Sequence, residues 1–371
     1  MKYQMCNRCV MDNKSDVTIY FNEEGVCNYC TDALVNMKRI YFPNSEGEKQ
    51  LKMMLSQIKE EGKGKKYDCL MGISGGLDSS YLAYLGYKWG LRILAVHVDD
   101  GYDTEISKEN LKKLSNKANI KLINIEPNAE QFNKLTKAFF RAGVPNLAIP
   151  QDNILFASLY KLAKEHKIKY FLSGGNFALE SILQQGNTYS AYDTKHIKEI
   201  NKIYGETKLD KLPILSELQR DLDKYIYKIE SLRPLNLIDY NKERAFKELK
   251  DFCEFEYYGS KHLENTLTKF VQTYYFPNKF NVDKRTSHLS SLIIVNQLKR
   301  DEALKELEKP LYDEEEMEKD IEFILNKLKM SKEEFNKIME EDPKQHDFYK
   351  TSKYVDYRAK TTKLIKKIIF K

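Results

Sequence analysis

The sequence contains no apolar run that approaches the roughly 20 residues required to cross a bilayer. Its first ten residues, MKYQMCNRCV, lack the apolar core of a signal peptide. The net charge is only +6 over 371 residues, which is modest for a protein that binds nucleic acid and suits a small anionic substrate at least as well. These absences predict a cytoplasmic protein with no transmembrane segment and no nucleic-acid partner.

Two common phosphate-binding signatures are also missing. Nothing matches GxxxxGK(S/T), in which a lysine meets the terminal phosphates, and the stretch GISGGLDSS at 72–80 fits GxGxxG poorly. The sequence therefore predicts neither a Walker-type nucleotidase nor a conventional dinucleotide-binding protein.

What the chain does contain is a series of strand-length apolar runs, at 67–73, 91–99, 120–127 and 168–175. Continuous apolar runs of this length indicate strands that are buried on both faces. Helix-periodic segments lie between them. Strands that alternate with helices predict an α/β fold with a doubly wound parallel sheet.

Three regions follow from this pattern. Residues 1–40 hold two cysteine pairs and predict a metal-binding knuckle. Residues 41–240 hold the α/β pattern. Residues 241–371 show no convincing strand, which predicts a mostly helical region that binds substrate.

The turn after the first predicted strand combines small and polar residues: Ser74, Gly75, Gly76, Asp78, Ser79 and Ser80. Glycines let a backbone approach an anion closely, and successive N–H groups at a helix N-terminus supply positive potential. The hydroxyls add hydrogen bonds to phosphate oxygens. Asp78 could either cap the helix or help to hold Mg²⁺. The pattern resembles the PP-loop, SGGxD(S/T), of the ATP pyrophosphatase superfamily, whose members adenylylate a carbonyl oxygen and release pyrophosphate.

The resemblance implies further nucleotide contacts along the same edge of the sheet. In such a fold the end of the second strand, Val96, His97 and Val98, would meet the adenine, and Asp99 and Asp100 would lie near the phosphates. A second small-residue turn contains Gly174 and Gly175. An ordinary strand-to-helix loop is the alternative for that turn.

The paired cysteines have the spacing of a zinc ribbon: Cys6, Cys9, Cys27 and Cys30. Four thiolates would complete a closed tetrahedral site, so we expect structural Zn²⁺ with no position open for catalysis. An iron–sulfur cluster or a redox pair is the alternative. The two remaining cysteines, Cys69 and Cys253, are expected to be packing residues.

The second half of the chain carries a series of longer motifs. They read IPQDNILFASLYK, KYFLSGGNFALES, YYGSKHLENTLTKFVQ and VDKRTSHLSSLIIVNQLKRDEAL. Together with the cysteine pairs and the PP-loop, and in the same order, they resemble the N-acetyl sugar amidotransferases of bacterial surface-polysaccharide and nonulosonic-acid synthesis. The resemblance extends from Cys6 to about Leu304.

The resemblance implies the reaction and the site residues. ATP, with Mg²⁺, would adenylylate the acetamido oxygen of an acidic or nucleotide-linked sugar, and ammonia would then displace AMP to leave an acetamidino group. We expect Lys284 and Arg285 to neutralise the pyrophosphate or to bind the sugar. His262 or Glu264 would take a proton from the incoming ammonia.

Ammonia is expected from a partner. The chain has no evident glutaminase signature and begins with Met1 and Lys2 rather than with an exposable cysteine. We therefore expect a separate class I-type glutaminase subunit.

Two other functions compete with this interpretation. A PP-loop tRNA thiolase would need a catalytic cysteine pair and a broad basic surface. A protein that only senses adenine nucleotide would not need the dense polar residues of 259–291.

Overall fold

The computed structural model describes residues 2–257 and 263–354 of the chain. Five parallel strands form one sheet with the order β3-β2-β1-β4-β5. The strands are β1 (Cys69–Gly72), β2 (Ile93–Val98), β3 (Lys121–Ile125), β4 (Tyr170–Leu172) and β5 (Glu230–Leu232). The chain goes from β1 to β2 on one side and later returns to β4 on the other. The ends of β1 and β4 therefore flank the point at which the strand order reverses, where ligands bind in open α/β sheets.

Both faces of the sheet are covered, because alternate residues of one strand enter different clusters. Cys69 and Met71 pack on one face with Leu82, which belongs to the helix after β1. Leu70 packs on the other face with Leu159, from the helix before β4. The predicted α/β fold with a doubly wound parallel sheet is confirmed.

The fifth strand is the element that the apolar pattern did not reveal. Its residues, Glu-Ser-Leu at 230–232, are mostly exposed, and it pairs only with β4 at the edge of the sheet. An edge strand needs few apolar residues, so its pairing depends on the neighbouring strand rather than on its own composition.

Nine α-helices lie before residue 240 in the part of the chain that the structure describes. They are α1 (Asn28–Ile40), α2 (Ser45–Glu61), α3 (Leu77–Lys88), α4 (Glu105–Lys117), α5 (Ala129–Ala142), α6 (Ile149–Glu165), α7 (Phe177–Glu180), α8 (Thr194–Tyr204) and α9 (Glu217–Tyr227). Several of them, such as α3 and α6, pack on the sheet. Most of the nine begin at a side-chain cap. Thr104 caps α4 and Asn176 caps α7, each by accepting a backbone N–H of the first turn.

The described residues after 240 contain helices and no strand, as the sequence predicts. They are α10 (Lys242–Cys253), α11 (Thr266–Phe270), α12 (Phe276–Phe280), α13 (Arg285–Ile294), α14 (Arg300–Leu307), α15 (Glu314–Leu328) and α16 (Lys332–Glu340). A π-helical segment, Val271–Tyr275, joins α11 to α12. The domain boundaries near residues 40 and 240 stay predictions. Within the described ranges no helix is both long and apolar enough to span a membrane.

Candidate active site

The loop between β1 and α3 ends in a helix N-terminus that has no side-chain cap at its N-cap residue. Gly76 is the N-cap of α3, and no side chain accepts a hydrogen bond there, in contrast to α4 and α7. Gly75 has φ +78°, a conformation that side chains rarely adopt. The first turn of α3 points its N–H groups toward this loop, and the helix dipole favours an anion there.

The second turn packs directly against this loop. A Cβ atom on Gly174 would lie only 3.0 Å from the backbone nitrogen of Ser79, so glycine is required for the approach. Asn176 is fully buried and caps α7 through a 3.0 Å bond from the Leu179 N–H. The two turns thus form one continuous surface at the reversal point of the sheet.

A cavity of about 640 Å³ opens over this surface. Eight of the residues that the sequence predicted for the site line it: Ser74, Gly76, Asp78, Ser79, Gly174, Gly175, Glu264 and Arg285. The opposite wall comes from α13 and α14. Sequence reasoning did not assign a role to the lining residues Glu180, Lys242, Tyr257, His288, Leu289 and Leu292. Two of these, His288 and Leu289, lie within residues 259–291, the segment that is dense in polar residues. That density was the feature of the sequence that could have indicated them.

Glu264 is held beside the PP-loop by hydrogen bonds to the loop itself and to the segment that follows β2. Its carbonyl accepts the Thr104 N–H at 3.0 Å, and the Thr266 N–H donates to the Tyr102 carbonyl at 2.7 Å. Its carboxylate accepts a 3.0 Å hydrogen bond from the Ser74 hydroxyl. A Cβ on Gly76 would approach that carboxylate to 2.5 Å. Glu264 therefore lies beside the phosphate-binding loop.

Asp78 lies on the first turn of α3 and lines the cavity. The Tyr240 hydroxyl, which is fully buried, donates a short hydrogen bond to its carboxylate. This bond fixes the carboxylate from a residue 162 positions away in the sequence. Asp78, at the end of the loop, and Glu264, beside the loop, thus both bring carboxylate oxygens to the cavity, the ligand type that suits Mg²⁺.

The end of β2 does not line the cavity, and its side chains are engaged elsewhere. Val96 is buried between the strands. The His97 ring joins the Ile73 carbonyl, at 2.9 Å, to the Asp103 carboxylate, also at 2.9 Å. Burial opposes protonation of His97, but the hydrogen bond and charge of Asp103 raise its pKa. His97 therefore links the PP-loop to the loop after β2. The adenine contact predicted for Val96, His97 and Val98 stays a prediction.

The carboxylates of Asp99, Asp100 and Asp103 form a group after β2. Burial, and then the charge of Asp103, raise the pKa of Asp100 to about 6. Asn265 donates to both Asp100 and Asp103 at 3.1 Å. This group consequently fixes the segment that carries Glu264.

Arg285 lines the cavity, but its guanidinium is already bonded. It contacts Asp283 at 2.8 Å and donates to the carbonyls of Glu306 and Lys309 at 3.0 and 2.9 Å. A further bond goes to the Leu307 carbonyl at 3.2 Å. All five N–H donors of Arg285 are used in these bonds, which hold the end of α14. The role expected for Arg285, pyrophosphate neutralisation or sugar binding, stays a prediction.

Two other residues predicted for the site, Ser80 and Lys284, do not line the cavity. Ser80 follows Ser79 by one residue on the helix and is fully buried, because its side chain faces the core. Its hydroxyl has no hydrogen-bond partner among the described residues. Lys284 is the N-cap of α13 and is absent from the cavity wall. His262 lies outside the described residues. The roles proposed for Lys284 and His262 stay predictions.

The four paired cysteines converge in one buried cluster, with their sulfur atoms within 4.8 Å of one another. The Cys6–Cys30 and Cys9–Cys27 sulfur distances are 3.9 and 3.8 Å. A tetrahedral Zn²⁺ with bonds of about 2.3 Å places its sulfurs roughly 3.8 Å apart. The cluster fits one metal ion.

The other two cysteines are packing residues, as expected. Cys69 is fully buried in β1, and burial raises the pKa of its thiol. Cys253 is buried at the end of α10 and donates to the Leu249 carbonyl.

The fold and the site thus define a PP-loop α/β protein with an N-terminal cysteine cluster and a helical C-terminal region. Residues 264–364 match the family described as "LPS biosynthesis protein WbpG-like, C-terminal domain". This match confirms the resemblance, stated from the motifs, to a PP-loop family of surface-polysaccharide synthesis.

Relatives of the whole chain are distant. An uncharacterized protein of Methanocaldococcus jannaschii, MJ1599, is 23% identical over 82% of this chain and 93% of its own length. Among solved structures, the NH3-dependent NAD synthetase of Campylobacter jejuni is 17% identical, covers 56% of this chain and 93% of its own, and has a TM-score of 0.30. The U34-tRNA thiolase NcsA of Methanococcus maripaludis, with its [4Fe-4S] cluster, is 13% identical, covers 80% and 88%, and has a TM-score of 0.31. Because the identities and TM-scores are low, the fold class is assigned from the strand order and the loop geometry of this chain.

Proposed function

We propose that the protein is an ATP-dependent amidotransferase that converts the acetamido group of a sugar into an acetamidino group. The observation that carries the proposal is the composition of the cavity. One wall is the glycine- and serine-rich loop at the start of α3, and the other is built by the segment that matches a lipopolysaccharide-biosynthesis domain. This arrangement supports a site in which ATP phosphates would bind at the loop and a sugar would bind at the opposite wall.

The chemistry follows from the poor reactivity of an amide. The acetamido oxygen attacks the α-phosphorus of ATP, the bond from that phosphorus to the bridging oxygen breaks, and pyrophosphate leaves. The amide nitrogen gives up its proton in forming the O-adenylyl imidate. Ammonia then adds to the imidate carbon and loses a proton, and the carbon–oxygen bond breaks to release AMP with the original amide oxygen.

The residues of the loop would act on the leaving pyrophosphate. The N–H groups of α3 and the Ser74 and Ser79 hydroxyls would stabilise the negative charge that increases on the pyrophosphate. Asp78 and Glu264 would hold Mg²⁺, which supplies charge neutralisation to the phosphates. Lys242 places a cation on the same cavity wall.

This placement changes the role proposed for Glu264. Its carboxylate lies at the phosphate loop, so we favour metal binding over removal of a proton from ammonia. In Glu264→Gln the Mg²⁺ concentration for half-maximal activity should rise about tenfold or more, with little change in the KM for ammonium. A changed pH profile for ammonium use at an unchanged Mg²⁺ requirement would restore the role as a base.

The test of the function uses purified protein with MgATP, ammonium chloride and a panel of N-acetyl sugars, both free and nucleotide-linked. AMP and pyrophosphate should form in equal amounts, and the sugar should change in mass by the replacement of oxygen with NH. Formation of AMP only with tRNA and a sulfur donor would support the thiolase. Binding of ATP without pyrophosphate release under any condition would support a nucleotide sensor.

The ammonia source is a second part of the proposal. A class I-type glutaminase subunit would deliver ammonia, so glutamine should support turnover only when that subunit is present, whereas ammonium salts should support it without the subunit. Glutamine-dependent turnover by the protein alone would contradict this part.

A further inference from the structure

The cysteine cluster is packed against the substrate side of the cavity. Its four cysteines share one apolar cluster with Phe177, Ile182 and Ile294. Phe177 begins α7, Ile182 follows that helix, and Ile294 ends α13. Both helices contribute residues to the cavity wall, α7 through Leu179 and α13 through Leu289.

A buried hydrogen bond joins the cluster to α13. The backbone N–H of Val10, the residue after Cys9, donates to the Ser290 hydroxyl at 3.2 Å. Ser290 is fully buried. Its neighbours on the helix, His288 and Leu289, line the cavity. The position of this wall therefore depends on the backbone of the cysteine loop.

A second connection reaches α14 through a charged side chain. The Arg300 guanidinium donates to the Cys9 carbonyl at 3.0 Å and to the Cys6 carbonyl at 3.1 Å. Both acceptors belong to cysteines of the cluster. Arg300 begins α14, whose Glu302 and Glu306 lie on the cavity wall.

A third connection holds the segment that follows α7. The Tyr29 hydroxyl, on α1 beside Cys30, accepts the Gln185 N–H at 2.8 Å and donates to Asp16 at 2.6 Å. Asp16 also accepts the Gly186 N–H at 3.3 Å. The cysteine region thus contacts α13 and α14, which form the opposite wall, and α7, which adds Leu179 to the cavity lining.

We propose that the metal-bound cysteine cluster positions the α7, α13 and α14 wall of the cavity, and that Arg300 is the main positioning residue in this coupling. The PP-loop is anchored independently, because the Ile73 N–H donates to the Val96 carbonyl within the sheet at 2.9 Å. Loss of the metal or of the Arg300 contacts should therefore loosen the substrate wall and leave the phosphate loop in place.

The test compares hydrogen exchange in the metal-loaded protein, the chelator-treated protein and Arg300→Ala. Peptides from α13 and α14 should exchange roughly tenfold faster in the two altered samples, whereas α3 peptides and the affinity for MgATP by calorimetry should not change. Lys305→Ala, an exposed change on the same helix, is the matched control. Arg300→Lys should restore much of the protection, because one ammonium can still reach a carbonyl.

Unchanged exchange of α13 and α14 after metal removal would overturn the proposal. Equal loosening of α3 would also overturn it, since the effect would then be general unfolding. Chelation of the wild-type chain provides the answer if Arg300→Ala does not fold. No sugar is needed, so this outcome is independent of the proposed reaction.

Discussion

The two walls of the cavity present different kinds of polar group, backbone groups on one and long side chains on the other. The PP-loop wall presents backbone N–H groups and short hydroxyls next to a buried strand. The opposite wall presents long side chains, and cationic side chains of the C-terminal region close the ends of helices. Arg285 binds the carbonyls that end α14, and Lys279 donates to the Ile338 and Glu341 carbonyls at the end of α16, at 2.5 and 2.6 Å. A cation in a polar, aromatic segment is therefore weak evidence for an anion site, because open helix carbonyls attract it equally well.

The largest effect is expected on the backbone-built wall, from Gly75→Ala. Its Cβ would combine φ +78° with a 2.6 Å approach to the Ser107 carbonyl oxygen, so the loop must shift. We expect ATP-dependent AMP formation to fall about 100-fold or more, since misplacement by about 1 Å costs that much. The measurement is AMP release at saturating MgATP.

Gly64→Ala is the matched control for this prediction. Gly64 has φ +72°, but a Cβ there would meet no heavy atom within 4 Å. It shares the strain of a positive φ without the clash. Equal losses of activity in the two variants would show that backbone strain alone, rather than loop geometry at the cavity, explains the effect.

The side-chain-built wall should respond in stability first. Arg285→Ala removes the contacts to Asp283 and to the end of α14, which are part-buried and involve a charge. The free energy of unfolding should fall by about 2 kcal/mol. Chemical denaturation measures it, with Arg244→Ala, an exposed pair with Asp239, as the control that should change little. A stable Arg285→Ala protein with a greatly raised KM for ATP would return Arg285 to the phosphates.

The backbone-built wall could be predicted from the sequence, whereas the contacts of the side-chain-built wall could not. Four strands and the PP-loop could be predicted because burial on both faces and backbone chemistry leave local patterns. The hydrogen bonds of Arg285 could not be predicted, because most of its acceptors lie at the end of another helix. The Tyr240–Asp78 contact joins residues 162 positions apart and has no local pattern either. Side-chain roles depend on tertiary neighbours, whereas glycine-serine turns carry their function in a few consecutive residues.

A smaller effect, on the pH dependence of the free energy of unfolding, is expected where α8 meets the C-terminal region. His196 of α8 and His346 form a buried pair, with 3.0 Å between Nε2 and Nδ1. Burial, opposed by Asp193, lowers the pKa of His196 to about 4, and burial with the charge of His196 lowers that of His346 to about 3. The unfolded chain binds protons below about pH 6.5 and the folded chain does not.

Stability should therefore fall as the pH decreases from 7 to 5.5, by about 1 kcal/mol for each histidine. Asp100 acts in the opposite direction, because its raised pKa favours the folded state as pH falls. The contribution of His346 is isolated by comparison with His346→Gln in urea denaturation across this range. An identical pH dependence in the variant would show that His346 does not contribute.

The smallest effect is expected within the PP-loop motif itself, from Ser80→Ala. Ser74, Ser79 and Ser80 are equivalent in the sequence motif, but only the first two line the cavity. The Ser80 hydroxyl is buried without a hydrogen-bond partner among the described residues, so its removal should change stability by less than about 0.5 kcal/mol and leave AMP formation unchanged. Ser74→Ala should lower AMP formation about tenfold, because it removes both a cavity hydroxyl and the donor to Glu264. Equal losses in the two variants would mean that ATP binding rotates the start of α3. In that case the backbone-built wall would be as dependent on tertiary rearrangement as the side-chain-built one.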